Sequence, residues 1–106
     1  MPALQHFELQ VLLAMLREGR ETYSVPLVLV LETRLDRPVA QAAVFIALNR
    51  LEKKGMVASR METSDGGRPR RYFRVTRAGL QAVKAQHEEH SRLWRGFTRA
   101  LKTRED

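Results

Sequence analysis

The stretch VAQAAVFIALNRLEKKGMVASRMETSDGGRPRRYFRVT, residues 39–76, leaves the rest of the chain little choice of fold. Val44, Ala47, Leu48 and Leu51 fall at i, i+3, i+4 and i+7, the spacing that lines apolar side chains along one face of a helix. Lys53, Lys54 and Gly55 make a good stop, since cations suit a helix C-terminus and glycine accepts a left-handed cap. Beyond it, Met56–Glu62 and Arg71–Val75 carry β-branched and aromatic residues in strand-compatible patterns, and Asp65-Gly66-Gly67 between them supplies turn chemistry. The spacing therefore predicts a helix running directly into a two-stranded hairpin.

That hairpin is basic. Between Arg60 and Arg77 there are six arginines, at 60, 68, 70, 71, 74 and 77, against Glu62 and Asp65. The whole chain, with 19 Lys+Arg, 12 Asp+Glu and a net charge of +7, points to a polyanionic partner, although a charge run can also be a solvated face. One hundred and six residues, 43% of them hydrophobic, fit one folded domain. The absence of cysteine excludes a disulfide framework and thiolate metal sites, and suits a reducing cytoplasm. Met1-Pro2-Ala3-Leu4 lacks the basic start and long apolar core of a secretory signal, and the run Val25–Leu31 is too short to cross a bilayer, so no membrane partner is expected.

Upstream, a first helix is expected from Leu4 to Glu18, stopping at Gly19. Leu9, Leu12, Leu13 and Leu16 form one stripe, and Leu4, Phe7, Val11 and Met15 a second, displaced around the helix. A small core needs only one stripe, so the second is expected to pack against another subunit; the alternative is a helix sunk within its own domain. After the polar turn Arg20-Glu21-Thr22-Tyr23, the segment Ser24–Leu35 reads as helix: Ser24 can serve as N-cap, Pro26 fits a first turn, and Leu27, Leu31 and Leu35 recur every four residues. Asp36-Arg37-Pro38 breaks it, so this helix and the one from Ala40 stand in helix-turn-helix relation. Thr76 caps a last helix reaching Lys102, in which Leu80, Val83, His87, His90, Trp94, Phe97 and Leu101 alternate at three and four residues. Such a seam, roughly 30 Å long at 1.5 Å per residue, exceeds what a small core can cover, so its natural partner is the same helix of a second copy of the chain, or the second stripe of the first helix. Thr103–Asp106 is expected to fray.

These elements make an α+β, mostly α fold: a winged helix-turn-helix with a two-stranded wing (residues 1–77), and a long C-terminal dimerisation helix with a short tail (residues 78–106), together one compact unit. Opposite the core stripe of the third helix lie Ala42, Ile46, Asn49 and Lys53, with Phe45 and Arg50 flanking. If that helix enters a major groove, Gln41, Ala42 and Phe45 come nearest the bases, where glutamine can pair with adenine and an apolar group can touch a thymine methyl. Asn49 and Lys53 fall nearer the phosphates, and Arg68, Arg70 and Arg71 of the wing would grip backbone or minor groove. Phe45 and Ile46 have core packing as their plainer use.

With helix, Tyr23-Ser24, helix, Phe45-Ile46-Ala47-Leu48, Arg50-Leu51-Glu52, Gly55-Met56-Val57, Arg70-Arg71-Tyr72-Phe73 and Thr76-Arg77-Ala78-Gly79 in this order, the chain resembles the PadR-like winged-helix transcriptional regulators over residues 7–85. The resemblance implies a bacterial or archaeal homodimer that binds palindromic double-stranded DNA, usually as a repressor, with the C-terminal helix serving dimerisation. Two departures stand out. The family often has tyrosine-proline where Phe45-Ile46 stands, and glycine where Ser24 follows Tyr23.

Facing copies of Trp94 and Phe97 in a dimer could form a slot for a small planar effector, although core packing is the commoner use of such residues. His87 and His90 could gather four imidazoles across the seam; a metal site is not expected from them, and protonation would loosen the dimer by repulsion. No cofactor is expected, and no nucleophile elbow, phosphate loop or dinucleotide fingerprint supports an enzyme. The expectation is a homodimeric repressor; a winged helix used as a protein-interaction or assembly module is the alternative, and double-stranded RNA a third partner to consider.

Overall fold

The computed structural model describes residues 4–19, 21–63 and 66–105, and the side chains within that range except those of 104 and 105. Met1–Ala3, Arg20, Ser64, Asp65 of the expected turn and Asp106 of the expected tail lie outside the described residues. Among the described residues, five helices and one hairpin follow in the order α1 (His6–Glu18), α2 (Ser24–Leu35), α3 (Gln41–Lys53), β1 (Val57–Thr63), β2 (Pro69–Val75), α4 (Arg77–Trp94) and α5 (Phe97–Glu105).

The core forms where α1, α2 and α3 meet the root of the hairpin. Val11, Leu12 and Met15 from α1, Leu27 and Leu31 from α2, the whole stripe Val44, Ala47, Leu48 and Leu51 of α3, and Met56, Val57 and Phe73 are all buried. Each fully buried large side chain, Phe73 for example, stabilises the fold by about 1.5–3 kcal/mol. α2 stops at Asp36, whose φ of 53° and ψ of 47° are left-handed. The Glu32 carboxylate then accepts a bond from Val39 N–H (3.1 Å), fixing the turn into α3. α3 ends where Gly55, at φ 76°, turns the chain into the hairpin.

β1 and β2 pair antiparallel from Val57↔Val75 to Thr63↔Pro69, so β1 lies one residue later than expected at each end, and β2 starts two residues earlier but ends at Val75 as expected. Thr22 adds a bridge to the far side of β2, exchanging bonds of 3.0 and 2.7 Å with Phe73. The expected polar turn is thus a stub of third strand, which ties the segment before α2 to the wing. Ser24 is the first residue of α2 and Tyr23 its cap position, so the serine does not serve as the N-cap.

Two expectations are corrected here. The first is the outer stripe of α1. The helix starts at His6, leaving Leu4 before it, and Leu4 and Phe7 pack half-buried on the core, while Val11 and Met15 are buried inside it. Contacts with α2, α3, β2 and α4 surround this helix, so the second stripe meets the chain's own core, together with Leu12 of the first. The apolar residues left outside are Leu13 and Leu16, 45% and 39% exposed.

The second is the continuous C-terminal helix. Thr76 caps α4 as expected, its Oγ1 accepting from Gly79 N–H at 3.1 Å. The helix ends at Trp94, where Arg95 is extended and Gly96 has φ 78°, and α5 begins at Phe97. Gly79 is the one buried residue of α4; Val83 is half-buried on the core, and His87, His90, Trp94, Phe97 and Leu101 are exposed. The chain measures 62 × 30 × 20 Å with a radius of gyration of 16.5 Å, where a compact chain of this length has about 13 Å, because α4 and α5 project from the core.

α1 is also held by charge. Lys54, at the end of α3, donates to Glu8 Oε1 at 2.6 Å, and Gln5 N–H donates to the same oxygen at 2.8 Å. Glu8 is buried, and its Oε2 has no hydrogen-bond donor among the described residues. Among the described residues no helix is long and apolar enough to cross a membrane.

Candidate nucleic-acid interface

The helix-turn-helix geometry leaves one face of α3 outside the core. Gln41, Ala42, Phe45, Asn49 and Lys53, the five contact residues expected on this helix, are all exposed on it, and so is Ile46. With Phe45 37% and Ile46 53% exposed, the core-packing reading of these two fails. Two large apolar side chains thus stand among polar ones on this exposed face.

Gln41 is less free than its position implied. Its Nε2 donates to Ser24 Oγ at 3.0 Å, tying the first turn of α3 to that of α2. Its carbonyl oxygen and remaining N–H are left for an outside partner.

The wing stands beside this face. Strand alternation puts Arg70, Tyr72 and Arg74 on one side of β2 and Arg71, Phe73 and Val75 on the other, where Phe73 is the core anchor. The outer side is a ladder of rings and cations. Arg70 lies 4.2 Å from the centroid of the Tyr23 ring, Arg60 lies 5.1 Å from that of Tyr72, and the two tyrosines meet edge to face at 5.7 Å. Arg60 also donates to Glu21 (2.8 and 2.6 Å) and to Glu62 (2.5 Å). These bonds, Glu21's first, hold the guanidinium proton more tightly than usual, and the Arg60 bond likewise holds Glu21 below its ordinary value. Arg60 is therefore a structural cation, and the six-arginine run overstates the charge open to a ligand.

Arg71 departs furthest from expectation. In place of an open phosphate fork, its Nε donates to Ser59 Oγ (3.1 Å), Nη1 to Asn49 Oδ1 (3.1 Å) and Nη2 to Glu52 Oε1 (2.8 Å), and its plane lies 4.8 Å from the Phe73 centroid. Ser59 Oγ–H donates to both Glu52 oxygens, at 2.7 and 3.0 Å. Ser59 first and then Arg71 hold the Glu52 carboxyl below its ordinary 4.5. Neither Glu52 nor Ser59 was expected to take part. The clue available was the register, which places Ser59 and Arg71 on the Phe73 side of the hairpin, facing the last turn of α3.

Between wing and helices opens a cleft of about 260 Å³, lined by Tyr23, Ser24, Val25, Phe45 and residues 68–71. Arg68, Arg70 and Arg71 stand along one wall and Phe45 at the other, so the cleft presents cations and an apolar ring to whatever enters. That combination suits a phosphate backbone with a base or methyl edge close by.

At the other end, the expected dimerisation residues divide. Leu80, Trp94, Phe97 and Leu101 are exposed, with Leu93 outside the seam at 73%, whereas Val83 is shared with the core. Trp94 meets Phe97 edge to face at 4.9 Å across the break, and its indole N–H donates to His90 Nε2 at 2.6 Å. His87 is exposed, and among the described residues no group of three or more His, Asp or Glu side chains could hold a metal ion.

A model of the transcriptional regulator PadR-like family matches residues 12–85. Among solved structures, a PadR family transcriptional regulator from Eggerthella lenta is 25% identical, with a TM-score of 0.72 over 92% of this chain and 88% of that one. A transcriptional regulator from Clostridium thermocellum is 22% identical, with a TM-score of 0.68 over 86% and 89%. Bacillus subtilis PadR, solved in complex with operator DNA, is 14% identical, with a TM-score of 0.68 over 77% of this chain and 46% of that longer one. No curated protein matches.

Proposed function

This chain belongs to the PadR-like family of transcriptional regulators, and from that premise we propose that it binds a palindromic double-stranded operator as a homodimer and represses by occupying it. The observation that carries the reading is the exposed α3 face set against an arginine wing across one cleft. Gln41, Ala42 and Phe45 approach base edges, Asn49 and Lys53 lie nearer the backbone, and Arg68 and Arg70 grip phosphates or a narrow minor groove. The Eggerthella and Bacillus structures support the reading as folds, the latter because that protein was caught on its operator.

The projecting helices support dimerisation. Leu80, His87, His90, Trp94, Phe97 and Leu101 pair with their copies, and the exposed Leu13 and Leu16 of α1 replace Val11 and Met15 in the interface. The dimer sets the two α3 helices one DNA turn, about 34 Å, apart. Trp94 and Phe97 with their copies form the slot for a small planar effector, where binding quenches Trp94 fluorescence. The protein works without catalysis or cofactor, at the nucleoid in the cytoplasm.

The test is selection of bound fragments from random duplexes followed by affinity against salt. A palindrome is expected, together with a log-log slope of about −0.9 per phosphate neutralised. Arg70→Ala then weakens all sequences alike, and Gln41→Ala changes the preferred sequence. Salt-insensitive binding to a protein partner, with no selected sequence, would favour the assembly-module reading, and competition by RNA of the same sequence would redirect it to double-stranded RNA.

A further inference from the structure

We propose that Arg71 is a positioning residue which clamps the wing to the recognition helix and turns Asn49 so that it offers DNA a hydrogen-bond donor. The inference rests on the operator reading above. Arg71 sits in β2 and its partners come from both other elements of the interface: Asn49 and Glu52 from α3, Ser59 from β1. Three of its five donor hydrogens are therefore spent inside the protein. The Glu52–Arg71 pair is about one-third exposed (35% and 34%), which leaves it open enough to be screened by salt yet anchored by the Phe73 ring beneath the guanidinium.

An isolated hairpin is marginally stable and hinges easily at its root. Here the root is fixed by Phe73 in the core, and the Arg71 fork adds a second attachment two residues further out, toward the tip. Two separated attachments suppress hinging, so the cleft between Phe45 and the wing keeps its width. A pre-set width matters for discrimination, because a loose wing could re-seat itself on wrong sequences as well as on the right one, whereas a fixed cleft rejects a duplex that does not fit it.

The orientation of Asn49 follows from chemistry that leaves one choice. Arginine has donors and no acceptor, so the atom of Asn49 facing Nη1 must be its carbonyl oxygen. Asn49 then keeps both donors of its NH₂ group free to present, while its oxygen, turned to Arg71, has one lone pair left. Its natural targets are acceptor-only features, a phosphate oxygen or the N7 and O6 edge of guanine, and the paired donor-acceptor contact with adenine is disfavoured.

The test has one arm without DNA and one with it. In the free protein, backbone ¹⁵N relaxation across β1 and β2 is compared for the native chain, Arg71→Gln and Glu52→Gln. Both variants are expected to gain wing motion; Glu52→Gln, which keeps the side chain's shape, carries the result if Arg71→Gln does not fold. Unchanged relaxation in the folded variants overturns the clamp. With a selected duplex and a scrambled one, both variants are expected to narrow the affinity ratio roughly tenfold, while the salt slope of Arg71→Gln stays at the native value. A slope reduced by about 0.9 with the ratio intact would make Arg71 a phosphate contact and sink the proposal. Asn49→Asp, which still accepts from Arg71 but has no donor, is expected to bind more weakly than Asn49→Ala; equal losses overturn the donor assignment. If the native chain binds no duplex at all, the operator reading fails, and the relaxation arm alone decides the clamp.

Discussion

Replacing Gly79 by alanine would set a methyl carbon 2.1 Å from the carbonyl oxygen of Met56, 2.9 Å from Val75 Cγ1 and 3.0 Å from the Met56 carbonyl carbon. Two effects then compete. Alanine is the better helix former, worth up to about 1 kcal/mol in favour of the variant. Against it stands a clash that side-chain rotation cannot relieve, since the nearest atom is backbone, and α4 must back away by about 1 Å to reach the shortest separation real methyl groups show. Overpacking of this kind costs about 1–3 kcal/mol. The same shift strains the bond from Thr76 N–H to Met56 O, 3.0 Å long, whose loss costs about another 1 kcal/mol. The net expectation is a destabilisation of about 2 kcal/mol. At about 4–8 °C per kcal/mol for a small domain, Tm should fall by about 8–16 °C. Thermal denaturation followed by circular dichroism, at one fixed protein concentration because association would shift Tm, measures it. A variant that melts at or above the native temperature would mean that helix propensity wins and that α4 is not seated on Met56.

The buried Glu8–Lys54 pair makes a second prediction. Lys54→Met leaves a buried carboxylate without its cation and should cost about 3–5 kcal/mol by urea unfolding, whereas Glu8→Leu with Lys54→Met should return close to native stability; equal losses in single and double variants would contradict it. A third concerns acid. Because the folded-state value of Glu52 is depressed, its contribution is complete above the ordinary 4.5 and is lost as pH falls through the folded value. Glu52→Gln should therefore be less stable than the native chain at neutral pH and converge with it in acid, and a gap independent of pH would refute the assignment. Fourth, Trp94→Ala should weaken self-association by at least about 2 kcal/mol, roughly thirtyfold in Kd, by sedimentation; an unchanged association state would remove Trp94 from the interface.

How far each element was legible depends on how local its cause is. The α3 stripe, the Lys53-Lys54-Gly55 stop and the Thr76 cap are written in neighbouring residues, and all three stand as read. The stripes of α1 were visible, but which faces would be covered depended on four other elements closing around the helix, and no spacing within α1 encodes that. The break in the last helix was in plain view at Gly96, yet the alternation of apolar residues runs through it, because Trp94 and Phe97 keep their spacing across a kink as well as along a helix. Its consequence is physical: α4 alone is about 27 Å long, and a partner must follow a bend to reach Leu101.

Arg71 shows the limit most clearly. As one arginine among six it looked like charge for a polyanion, since composition weighs cations equally whatever faces them. The fold sorts them by side of the strand. Arg60 is neutralised by Glu21 and Glu62, Arg70 rests on an aromatic ring, and Arg71 turns inward to carboxylate, hydroxyl and amide. The wing thus carries arginines of two kinds, those on its outer face and Arg71, which is tied inward to α3. The strand register, with Arg71 on the face of Phe73 and Arg70 on the face of Tyr72, tells these two apart, and the carboxylates of Glu21 and Glu62 set Arg60 apart on the outer face.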